Sequence, residues 1–250
     1  MSDLGKLARR LVGVAACAIG IVALNGCAAG NLSPTAAFAL SASALSGTDR
    51  FGFDGRLSAY DPSGRLESQT GFRGEVSGHK PSALVWEGTA ATASSSSYWN
   101  HPLTLVSAIE AGSSDLKYVS RSSDEVELEM KLDPDVARDR IKKELRSQMS
   151  TVALETGRLI SERREDAGEQ AKSKLEQANR VLDEALGTLS VSTVCRWKAD
   201  PRTWFPKSLS EESLLTYTLS GNSYTEKRIS ETNFQPGRDS DTMKNGSTTK

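Results

Sequence analysis

Residues 124–134 read Asp124-Glu125-Val126-Glu127-Leu128-Glu129-Met130-Lys131-Leu132-Asp133-Pro134. Val126, Leu128, Met130 and Leu132 alternate with Glu125, Glu127, Glu129 and Lys131, the two-residue period of a strand buried on one face and wet on the other. At Asp133-Pro134 the pattern changes. Residues 134–187 contain no Phe, Tyr or Trp, and 22 of these 54 residues are charged, 11 of each sign. Ile141, Leu145, Met149 and Val152 recur at helical spacing, as do Leu175, Ala178, Leu182 and Ala185. Asp139–Lys143 and Glu176–Arg180 are four apart and can pair on the helix surface. The charges read as a solvated face. As one helix the segment would extend about 80 Å. Folding back near Ala167-Gly168 would bury both apolar stripes and is the favoured reading, although a glycine costs only ~1 kcal/mol inside a helix and does not force the break.

On either side of this helical insert the chain alternates between short helices and strands. Ser33-Pro34 opens an Ala-rich stretch ending before Gly47, a helix over 34–46 with Phe38, Leu40 and Leu45 as its apolar stripe. Phe51, Phe53, Gly55, Leu57 and Ala59 alternate as a half-buried strand, followed by the turn Asp61-Pro62-Ser63-Gly64. Strands at 65–78 and 82–87 complete an antiparallel meander, and the small polar residues 88–97 form a loop. A short helix over 102–111 ends at Gly112, and strands follow at 115–121 and 124–132. Beyond the insert, Leu189, Val191, Thr193, Cys195 and Trp197 share one face of a strand over 188–198, which predicts a buried Cys195. After the turn at Asp200-Pro201, residues 203–209 read as a short strand whose Pro206 places it near a sheet edge. Strands at 213–219 and 223–234 close a hairpin over Ser220-Gly221-Asn222, and the polar tail 235–250 reads as disordered.

The N-terminus is tripartite. Lys6, Arg9 and Arg10 precede the uncharged run Leu11–Leu24, too short to span a bilayer comfortably, and Leu24-Asn25-Gly26-Cys27 follows. That tetrapeptide resembles a bacterial lipobox, with Asn25 departing from the small or β-branched residues common at its position. The resemblance implies a signal peptide over 1–26, cleavage before Cys27, and diacylglycerol and N-acyl groups on Cys27 above a lipidated tether, 27–33. Two or three acyl chains anchor stably where one does not. Ala28 is not the aspartate that marks inner-membrane retention in lipoproteins of double-membraned bacteria, so the expected address is the cell membrane or outer membrane, facing outside the cytoplasm. Cleavage would leave 224 residues with 28 basic and 31 acidic side chains.

Three further stretches carry a wider resemblance: Phe51–Leu57 (FGFDGRL), Trp99–Ile109 (WNHPLTLVSAI) and Trp197–Leu209 (WKADPRTWFPKSL), the last with an Asp-Pro-x-Thr-x-x-Pro turn. With the lipobox and the order of elements, they resemble the LolA/LppX-like envelope lipoproteins. The resemblance implies an α+β domain over 34–234. Its curved antiparallel β-sheet, an incomplete barrel, would carry an N-terminal helix, a short helix and the long charged helical insert 134–187. It also implies an apolar cavity that takes an acyl chain or acylated molecule. The insert departs from the compact family arrangement.

Composition narrows the functional classes. The 250 residues carry 31 Lys+Arg against 32 Asp+Glu, a net charge of −1 that speaks against a nucleic-acid binder. Three cysteines and two histidines, His79 and His101, do not supply a zinc site or a disulfide framework. Ser77-x-x-Lys80 and Ser114-x-x-Lys117 match a short catalytic pattern with none of its companions. Trp86, Trp99, Trp197, Trp204 and Phe205 read as core or edge packing. The expectation is a non-enzymatic lipoprotein without cofactor, metal or catalytic residues, binding a hydrophobic or acylated ligand in a β-cup. The alternative is an envelope structural or sensor protein that uses 134–187 to contact a partner protein.

Overall fold

A computed structural model describes residues 32–81, 84–87, 102–161 and 165–237. The lipobox Leu24, Asn25, Gly26 and Cys27, the loop 88–97, Trp99, His101 and the tail from residue 238 lie outside the described residues. In chain order the elements are α1 (Pro34–Ser46), β1 (Arg50–Tyr60), β2 (Leu66–Ser77), β3 (Lys80–Pro81), β4 (Val85–Glu87), α2 (Pro102–Gly112), β5 (Ser113–Arg121), β6 (Val126–Leu132), α3 (Pro134–Ser161), α4 (Glu165–Thr188), β7 (Ser190–Ala199), β8 (Pro206–Leu219) and β9 (Asn222–Pro236).

The fold is α+β, with one antiparallel sheet in the order β3-β2-β1-β9-β8-β7-β6-β5 and β4 also paired to β2. The first long strand and the last meet at its middle, with Phe53 opposite Phe234, and the sheet does not close into a barrel. Neighbouring strands β6 and β7 are joined through α3 and α4, so a helical hairpin stands where a tight turn would serve. Two connections among the described residues are two-residue hairpin loops. Gly78-His79 and Ser220-Gly221 each have two successive residues with positive φ, between 49° and 79°, as a two-residue type I′ loop requires.

Alternation buries one face of the sheet. Val126, Leu128, Met130 and Leu132 of β6 point inward beside Val191, Cys195 and Trp197 of β7. Phe53 lies opposite Gly74 and Phe72 opposite Gly55. Each ring occupies the space a Cβ on its partner would need, 2.5 Å from the would-be atom in both cases, so the glycines make room for aromatics across the strand pair. Ser33 caps α1 by accepting the Ala36 N–H at 3.1 Å. The helix drops Phe38 edge-on against Trp197, with ring centroids 5.3 Å apart.

Several expectations shift. In α1 the buried stripe is Ala37, Phe38, Ser41, Ala42 and Leu45, and Leu40 is exposed, because a stripe at spacings of one, three and four includes 41 and excludes 40. The strands expected at 203–209 and 213–219 are one: β8 runs unbroken from Pro206 to Leu219, between β7 and β9, and 203–205 belong to the turn before it. Pro206 is therefore not near an edge but is the first residue of an interior strand, at a register shift opposite Lys198/Ala199, where its missing N–H is tolerated. Of the strand expected over 82–87, Val85–Glu87 form β4, Leu84 lies ahead of it, and 82–83 are outside the described residues. The tail does not begin at 235, because Gln235 and Pro236 remain in β9 and the Gly237 N–H donates to the Arg50 carbonyl at 3.0 Å.

The insert is a hairpin whose first helix ends at Ser161, ahead of Ala167-Gly168. Arg146 of α3 pairs with Asp183 of α4 at 3.2 Å. Gly168 sits inside α4, and a Cβ there would lie 2.9 Å from Ile160 Cγ2, so its bare backbone lets the helices approach. Asp139 lies 4.0 Å from Arg138 rather than pairing with Lys143.

Candidate functional site

The site forms where the first turns of the helical hairpin cross the interior strands. Asp133 caps α3, accepting the N–H groups of Asp135 at 2.9 Å and Val136 at 3.2 Å. This fixes the helix so that Ala137, Arg140, Ile141 and Glu144 face the sheet. Opposite them β8 presents Leu209, Glu211, Ser213 and Leu215 inward, and β9 presents Thr232, Ser230, Arg228 and Glu226 at the matching register.

Four charges meet there. Arg140 Nη2 donates to Glu211 Oε1, and both residues are more than nine-tenths buried. Ser213 Oγ donates to the same Glu211 oxygen at 2.9 Å and shares a hydrogen bond of 2.7 Å with Thr193 Oγ1. Arg228 Nη1 donates to Glu144 Oε1 at 3.3 Å, and Gln148 Nε2 donates to that oxygen at 3.1 Å. Burial pushes the Arg140 guanidinium below its ordinary value and Glu144 draws it back up. A guanidinium stays charged in any protein environment, so two cations face two anions and the set is neutral. Buried ions are tolerated only when paired in this way. The expectation that every charge of 134–187 lies on a solvated face therefore fails at Arg140 and Glu144.

The cluster borders a small chamber of about 30 Å³, lined also by Leu57, Phe72, Trp86 and Ser230. Two N–H groups in its wall, Arg140 Nε and Trp86 Nε1, are buried without a hydrogen-bond partner among the described residues. Next to it lies an apolar cleft of about 570 Å³ between the hairpin and the far end of β8 and β9. Leu145 and Met149 of α3, Val181 and Leu182 of α4, and Leu215 and Tyr217 of β8 supply its walls. That volume lies within the range of small-ligand sites. At its edge Tyr217 donates to Glu226 Oε1, and burial followed by that carboxylate raises the phenol above its ordinary value, which keeps it a donor.

Of the residues singled out in the sequence, Trp86 faces the chamber as well as packing edge-on against Phe72, with centroids 5.8 Å apart. Trp197 and Phe205 belong to the core region. Trp204 adopts a positive φ in the turn after β7, where its N–H donates to the Asp200 carbonyl at 2.7 Å. Cys195 is fully buried and free, and burial pushes its thiol up to about 12. Ser77 and Lys80 flank the Gly78-His79 turn, and Lys117 pairs with Glu129 at 2.9 Å on the outer face. Neither Ser–Lys pair lines the chamber or the cleft. Among the described residues no group of three or more His, Cys, Asp or Glu could hold a metal, and no helix is long and apolar enough to cross a membrane.

Arg140, Glu144, Glu211 and Arg228 were missed in the sequence. The signal for the first pair is their spacing of four on the same side as Ala137 and Ile141. For Glu211 it is the parity it shares with Leu209 and Leu215. No protein-family model matches the chain, and no curated protein matches it significantly.

Proposed function

We propose that the mature protein is a non-enzymatic lipoprotein of the LolA/LppX-like kind, anchored outside the cytoplasm through diacylglycerol and N-acyl groups on Cys27, that binds an acyl chain or acylated molecule. The observation that carries the binding half is the apolar cleft of about 570 Å³ between α3–α4 and the ends of β8–β9. The tripartite N-terminus with Leu24-Asn25-Gly26-Cys27 carries the anchoring half.

The two halves are tested separately. Cys27→Ala should move the protein from the membrane to the soluble fraction and abolish incorporation of labelled palmitate; unchanged detergent partitioning would refute the anchor. Leu182→Trp places an indole in the cleft wall and should weaken binding of a fluorescent acyl probe by about tenfold or more, with the far-UV circular dichroism unchanged. Equal binding by the variant would refute the cleft as the site.

A second reading has its own observation. Val152 and Leu154 on the outer half of α3 are 51% and 77% exposed, and such side chains suit contact with an envelope protein. Val152→Lys with Leu154→Lys would abolish cross-linking to that partner and leave acyl-probe binding intact.

A further inference from the structure

The chamber and the cleft are neighbours that share Arg228 in their walls. Along the inner face of β9, Glu226 lines the cleft, Arg228 lines both, and Ser230 lines the chamber. On β8, Leu215 belongs to the cleft and Ser213 to the chamber, and on α3 Leu145 follows Glu144 in the same sense. Alternate residues of a strand stand about 7 Å apart, so one amphipathic molecule can reach from the first compartment into the second past Arg228.

The polar end of that molecule is defined by what the chamber lacks. Arg140 Nε and Trp86 Nε1 are buried donors with no acceptor among the described residues, and Arg140 is 9% exposed. Leaving such groups unsatisfied is costly, and an oxygen within reach of both removes the cost. Charge decides which oxygen. The guanidinium groups of Arg140 and Arg228 already face Glu211 and Glu144. A carboxylate or phosphate entering there would be a third anion against two cations in a buried place, which is unfavourable. An ester carbonyl or a hydroxyl adds an acceptor and no charge. The chamber's 30 Å³ suits one such oxygen and its substituent carbon more than a bulky headgroup.

The geometry points to a neutral, oxygen-headed lipid as the ligand: an acyl ester or alcohol whose chain fills the cleft and whose oxygen accepts from Trp86 Nε1 and Arg140 Nε. This rests on the reading of the cleft as an acyl-chain site, and the experiment separates the two. The full chain carrying Cys27→Ala is loaded with the neutral dye Nile red, which is then displaced with 1-dodecanol, laurate or dodecane. Dodecanol should compete several-fold more strongly than laurate or dodecane. Trp86→Phe, which removes the N–H and keeps a ring against Phe72, should weaken dodecanol by about three- to tenfold, the worth of one hydrogen bond, and leave dodecane unchanged. In the unsubstituted chamber, the Trp86 indole resonance should move with dodecanol and not with dodecane, a readout independent of how well the variant folds. Equal competition by all three compounds, a preference for laurate, or an indole resonance indifferent to dodecanol would overturn the neutral-head inference and leave the cleft standing. Failure of Nile red and of every competitor to bind would overturn the cleft reading with it.

Discussion

Ser41 and Trp197 show how one polar contact holds an otherwise apolar junction. Trp197 is fully buried, and its indole N–H donates to Ser41 Oγ at 2.8 Å across the α1–sheet interface. Ser41→Ala leaves that N–H without an acceptor, and the expected loss is about 1–3 kcal/mol in urea unfolding. Melting unchanged within about 0.5 kcal/mol would mean the indole finds another partner. The Arg140–Glu211 pair carries higher stakes, because removing one ion strands the other. Arg140→Met should destabilise by about 3–5 kcal/mol, and adding Glu211→Leu should restore most of it. A double variant as unstable as the single one would assign the cost to lost packing of the arginine stem.

Two glycines of the α3–α4 hairpin, Gly157 and Gly168, have opposite prospects. Nothing lies within 4 Å of a Cβ on Gly157, so Gly157→Ala should stabilise the helix by about 0.5–1 kcal/mol. At Gly168, Ile160 stands in the way, and Gly168→Val should cost about 1–3 kcal/mol by spreading the helices. Thermal melts of the two variants test this, and equal effects would refute the close approach. The hairpin also shows which elements sequence pattern exposes. The helix Pro34–Ser46 and the inward row Val191, Thr193, Cys195 and Trp197 follow from local signals alone, a cap with a proline and a strict alternation. Strand β8 does not. Two of its inward positions hold Glu211 and Ser213, so its alternation looks broken, and the partner that makes Glu211 tolerable is Arg140, 71 residues earlier. The cleft was not legible in the sequence, where the only cavity expected was one that the family resemblance implied within a β-cup. Its walls come from α3, α4 and β8 together, and no local window holds all three.

The shifted titrations of the whole folded body bracket the pH range in which it is most stable. On the acid side, the Ser63 hydroxyl and the Arg65 backbone N–H hold Asp61 down to about 2, and the hydrogen bond from Lys117 lowers Glu129. Their folded values lie below the unfolded ones, so what they contribute is present above about pH 4 and is lost as pH falls toward 2. Both sit on the surface, where salt screens them, so this limb should be shallow and salt-sensitive. On the alkaline side the sign reverses. Burial pushes the Cys195 thiol from 9.0 to about 12 and raises the Tyr217 phenol above 10.0. Above pH 9 the unfolded thiol ionises while the folded one stays protonated, so stability is lost from about pH 9 toward 12, at up to about 1.4 kcal/mol per pH unit for one such group. Urea midpoints should therefore be flat between pH 5 and 8 and fall on both sides. Cys195→Ala should flatten the upper limb between pH 9 and 12 and leave the lower one unchanged, because alanine has no proton to lose. An upper limb equally steep in that variant would show that the thiol is solvated, and with it that the inward row of β7 does not pack as described.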